Sequence, residues 1–229
     1  MFRRAALLSA PISFSVLAFS NISRNADWPF DPKGMPHMIV PKVTNIPTAG
    51  ILTLAGVGMR RKNLYITEVD VYQIGINLSH NGVALAKEWE SEQKGKVSLA
   101  AYLMGSCKHK LATEVTVSAT LRFCRQVTKD QFLNAFDEAF KGCSPDAVAE
   151  FRSTMGSAMS TGVVAKGDDL SLFWLDNGEM AFALNGVLGD RLTNRELNQR
   201  LLEVYIDPAR TVSKELYTCI ETHIKDLDV

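Results

Sequence analysis

Residues 54–78 read LAGVGMRRKNLYITEVDVYQIGINL. The stretch opens with Gly56, Gly58 and Arg60, and glycine at alternate positions beside a cation marks backbone held close to another group. After a turn-like Arg61-Lys62-Asn63, the segment Leu64–Leu78 is rich in β-branched and aromatic residues, the composition of a strand. Strict alternation would place Glu68 and Asp70 on the same face as Tyr72, Ile74, Ile76 and Leu78, so the strand is expected to bend or bulge. Arg60 and Tyr72 then flank the turn, one on each side.

Outward from this stretch, Ile51–Leu54 reads as the first strand. Ser79-His80-Asn81-Gly82 reads as a turn and Val83–Gln93 as a helix. Val97–Met104 fits a helix or a strand equally. Glu114–Phe123 alternates Val115, Val117, Ala119, Leu121 and Phe123 with polar residues, a half-buried strand. Thr128 and Gln131 form a capping box for a helix that stacks Phe132, Phe136 and Phe140 and stops at Gly142. Ser144-Pro145 starts another helix, to about Met155, and Gly156–Gly167 reads as a loop or frayed helix end. Asp176-Asn177-Gly178 joins strands Asp169–Leu175 and Glu179–Leu184 in a hairpin. Two helices follow, one opened by a Thr193/Glu196 capping box and carrying Leu197, Leu201, Val204 and Tyr205, the other capped by Ser213. Such a tally predicts an α+β domain over 50–229, a largely antiparallel sheet with helices on one face.

Composition excludes several functions. Lys+Arg and Asp+Glu number 25 each, so no net field draws nucleic acid or an anionic membrane. The four cysteines and four histidines lack metal-ligand spacing, and no metal site or cofactor is expected; the cysteines read as free, mostly buried thiols. No nucleophile elbow, Walker loop or Rossmann fingerprint is present. Asp168-Asp169 reads as a solvated turn and Lys108-His109-Lys110 as an exposed loop. Residues 1–25 contain no acid, three arginines and five serines, the bias of a targeting peptide. A mitochondrial address is favoured over a plastid one, with a secretory signal as the competing reading. Its apolar run is too short and interrupted for a spanning helix. Residues 26–49, with five prolines between Asp27 and Pro47, read as an extended linker with an edge strand at Met38–Val40.

The residues with chemistry to offer are Arg60 and Tyr72. A guanidinium binds a carboxylate through two parallel hydrogen bonds and a phenol adds a further donor, at the head of a slot lined by Ile74, Ile76 and Leu78. An equal alternative is that Arg60 pairs with Glu68 or Asp70 and Tyr72 is core.

G-V-G-M-R at 56–60 followed by V-D-V-Y-Q-I-G-I at 69–76 resembles the chalcone isomerase-like family. The resemblance continues through LRFCRQVTKDQFLNAFDEAF at 121–140 and through DNGEMAFALNG, LLEVYID and TVSKEL between Asp176 and Leu216. It implies an open-faced β-sandwich, a large antiparallel sheet with a helical layer against one face and a ligand cleft beside it. Enzymes of the family close a chalcone to a flavanone; an arginine holds the phenolate, and a threonine and a tyrosine organise donors at the ketone. Arg60 matches that arginine. The threonine position holds Tyr72, as in the fatty-acid-binding members. The tyrosine falls at Phe132, an expected asparagine at Ala139 and a further threonine at Val204, each without its polar group. These departures favour binding of a fatty acid or similar amphipathic carboxylate by Arg60 and Tyr72, with no catalytic residue. An isomerase or intramolecular lyase using Arg60 alone, or a structural protein with a filled cleft, are the alternatives.

Overall fold

The computed structural model describes residues 52–227, apart from 65 and 113. The expected targeting peptide at 1–25, linker at 26–49 and edge strand at 38–40 lie outside them. Among the described residues, eight strands and six α-helices follow one another as β1 (Leu52–Leu64), β2 (Thr67–Ser79), α1 (His80–Glu88), α2 (Leu99–Ser106), β3 (Val115–Phe123), β4 (Val127–Thr128), α3 (Lys129–Asn134), α4 (Pro145–Ala158), β5 (Val163–Val164), β6 (Asp169–Leu175), β7 (Met180–Leu184), β8 (Val187–Leu188), α5 (Arg195–Ile206) and α6 (Lys214–His223). Six strands form one antiparallel sheet in the order β1-β2-β3-β6-β7-β8, and β4 pairs with β5 in a separate two-stranded ladder.

The β1–β2 hairpin is longer than the sequence suggests. Arg61, Lys62 and Asn63 do not turn; they continue β1 and pair with Asp70, Val69 and Glu68, and the chain reverses beside Ile66. The expected bulge is present. Arg60 pairs with Tyr72 but Arg61 with Asp70, so Val71 is the extra residue that re-aims the strand. Asp70 is left exposed, whereas Tyr72, Ile74, Ile76 and Leu78 enter the core. That face meets the helical layer, where Val83, Leu103, Phe151, Leu201 and Ile220 join the same apolar cluster.

Gly56 and Gly58 have a structural explanation. α6 lies directly on β1: a Cβ at Gly58 would come within 2.7 Å of the Leu216 nitrogen, and one at Gly56 within 2.5 Å of the Ile220 side chain. The bare strand backbone lets the helix approach, which places the chain just before it, Val212 and Ser213, beside Arg60.

Other expectations are corrected. Ser79 is not in a turn; its side chain accepts from the Gly82 N–H and caps α1, which ends in a π-helical turn at Trp89–Gln93. The undecided segment near residue 100 is helix α2, capped by Ser98. β3 is buried on both faces, with Thr116, Ser118 and Thr120 no more than 2% exposed. Alternation reports polarity rather than exposure, and small polar side chains can bond within the sheet, as Asn77 Nδ2 does to Ser118 Oγ at 3.3 Å. The Thr128 capping box forms, but α3 ends at Asn134 and tighter turns carry Phe136 and Phe140 onward. The cap of α5 is Asn194, one residue later than expected, because Thr193 is held by Glu150 from α4. Ser144, Ser213 and the Gly178 turn (φ +87°) are as expected.

Candidate functional site

Arg60 and Tyr72 are direct cross-strand partners at the β1–β2 bulge. They share the face that α5 and α6 cover, so the guanidinium sits at the border between sheet and helices. Its Nη1 donates to the carbonyl of Val212 at 3.3 Å. The pairing of Arg60 with Glu68 or Asp70 is not observed. Asp70 accepts from Arg61 Nε at 3.1 Å, and Arg61 Nη1 reaches Glu215 of α6 at 2.5 Å. Arg61 collects both acids. Among the described residues Arg60 has no carboxylate partner.

The Tyr72 ring continues into an aromatic row: Phe123 at 5.5 Å between ring centres, then Phe132 at 6.2 Å and Phe136 at 5.2 Å. Burial pushes the Tyr72 phenol up to about 12, against the lowering pull of the Arg60 charge and of a second phenol, Tyr205. Tyr205, on α5, is fully buried, and burial raises its phenol well above the ordinary range. The two hydroxyls interact directly, each shifting the other, although the Tyr205 oxygen has no partner within normal hydrogen-bond geometry. In the sequence, Tyr205 belongs to the apolar stripe of its helix. The available signal was its hydroxyl, because a tyrosine four residues after Leu201 carries a polar tip into the core.

The slot residues Ile74, Ile76 and Leu78 are at most 1% exposed and packed in the core. Phe132 and Val204 are buried in the same cluster, and Ala139 packs against it. A separate cleft of about 430 Å³ is lined by Arg195, Glu196, Gln199, Arg200 and Glu203. Its charged walls do not suit an acyl chain. Among the described residues no group of side chains is arranged to hold a metal, and no helix is long and apolar enough to cross a membrane. Asp169 forms a two-pronged ion pair with Arg122 at 2.7 and 2.8 Å, and Asp168 accepts from the Ala165 N–H and from Asn185, so this acid pair is structural.

A family model described as chalcone isomerase-like matches residues 96–216, just over half of the chain. The chain belongs to the chalcone isomerase-like family. Its fold agrees: a crystal structure of a fatty-acid binding protein from Arabidopsis thaliana matches with a TM-score of 0.57 at 17% identity, over 82% of this chain and 97% of that one. No curated protein matches the chain. The family match begins after β2, so Arg60 and Tyr72 of this chalcone isomerase-like protein stand on their geometry.

Proposed function

We propose that this chalcone isomerase-like chain binds the carboxylate of a fatty acid, or of a similar amphipathic acid, through Arg60 and Tyr72, without turnover. The observation that carries the reading is the division of labour between adjacent arginines. Arg61 takes Asp70 and Glu215, while Arg60, paired across the ladder with a buried phenol, has no carboxylate of its own among the described residues. A guanidinium so placed supplies a planar donor fork for an incoming acid. The likeness in fold to a fatty-acid binding protein supports that ligand class. Phe132, Ala139 and Val204 offer no donor to a developing enolate, and a binder needs no group that acts only in the transition state.

Calorimetric titration of dodecanoate into wild type and Arg60→Ala tests this. Loss of a charge-assisted contact should cost ~1.5–3 kcal/mol, roughly a 10- to 150-fold weaker affinity. Equal affinities would remove Arg60 from the anchor. Cyclisation of a chalcone by wild type, abolished in Arg60→Ala, would replace binding by isomerase activity.

A further inference from the structure

The surroundings of Arg60 and Tyr72 hold more donors than acceptors. Arg60 carries five N–H groups, and its hydrogen bond here goes to the Val212 carbonyl. Two phenols add two O–H donors, and even a well-aligned pair of phenols would leave one O–H without an acceptor. The poorly satisfied hydroxyl is that of Tyr205, whose oxygen is buried and has no partner in normal hydrogen-bond geometry, its interaction being with the Tyr72 hydroxyl. Buried hydroxyls nearly always have a partner, so this one calls for a missing acceptor.

The rest of the residue is held firmly. Leu197 and Leu201 precede it on one face of α5, the Trp174 ring meets it edge-on at 6.4 Å, and its carbonyl accepts from Thr211 Oγ1 at 2.9 Å. The hydroxyl is therefore fixed beside the Tyr72 hydroxyl and within the field of the Arg60 charge.

We propose that Tyr205 is a third donor of the Arg60/Tyr72 site, so that a ligand carboxylate is held by a guanidinium and two phenols from the sheet and from α5. The inference rests on the carboxylate-binding reading above. It adds selectivity: one cation and surplus donors favour an anionic head over an uncharged one of equal chain length. Because burial raises both phenols, they remain protonated donors at neutral pH.

The test uses the full chain as wild type, Tyr205→Phe and Arg60→Ala, each titrated with dodecanoate and with 1-dodecanol, with thermal midpoints recorded alongside. Tyr205→Phe keeps the ring against Trp174 and removes only the oxygen. It should weaken dodecanoate about 3- to 10-fold, leave dodecanol within about twofold, and not lower the midpoint. Unchanged dodecanoate affinity in Tyr205→Phe, with loss in Arg60→Ala, would overturn the third donor and leave the anchor standing. Equal weakening of both probes, or a lower midpoint, would make the hydroxyl merely structural and overturn the proposal. If wild type binds no dodecanoate, or if neither variant alters its binding, site and third donor fall together.

Discussion

Tyr72 links the proposed site to the stability of the fold. Its phenol titrates near 12 in the folded protein against about 10 when unfolded, so the folded state keeps the proton longer. The stabilising contribution is complete below about pH 10 and is lost as pH rises through about 12. Urea denaturation at pH 9 and pH 11.5 should show wild type losing roughly 2 kcal/mol more than Tyr72→Phe over that interval. Tyr205 is raised in the same direction chiefly by burial, and that contribution is common to both proteins. Identical losses would mean that the Tyr72 phenol is solvated. The choice between Arg60 and Arg61 is also made at this scale. The sequence shows two similar cations, whereas the fold gives Arg61 the carboxylates of Asp70 and Glu215 and Arg60 the carbonyl of Val212.

At the scale of elements, the junction of β1 and α6 positions the candidate site. The helix rests on Gly56 and Gly58, and its capping residue Ser213 accepts from the Leu216 N–H at 3.2 Å. A methyl group at Gly58 would lie 2.6 Å from both Leu216 Cβ and Ser213 Oγ, contacts that only a shift of the helix relieves. Gly58→Ala should lose ~1–3 kcal/mol in chemical denaturation through this overpacking. In contrast, Gly105→Ala in α2, with nothing within 4 Å of the added carbon, should be neutral or stabilising by up to about 1 kcal/mol. Comparable losses in both variants would show that helix–strand approach is not what the Gly58 position serves. The sequence showed that the backbone here approaches something closely; it did not show that the partner is a helix more than 150 residues later, where Arg61 and Glu215 also meet.

For the whole molecule, all four cysteines are free and burial pushes each thiol up. A reducing agent should therefore leave the thermal midpoint unchanged, and iodoacetamide at pH 7.5 should modify native protein far more slowly than urea-unfolded protein. A midpoint that falls on reduction would reveal a cross-link. Several features were set by sequence alone because their causes are local. Strand periodicity, the Asp176-Asn177-Gly178 turn, the serine caps and the bulge forced by Glu68 and Asp70 each depend on neighbouring residues. The α+β class followed from their order. Tertiary structure alone decided which arginine is left without a carboxylate partner among the described residues, that α6 lies on Gly56 and Gly58, and that Tyr205 brings a buried hydroxyl to Tyr72. These depend on contacts between residues far apart in the chain, and such contacts form only when the sheet and its helical layer close on each other.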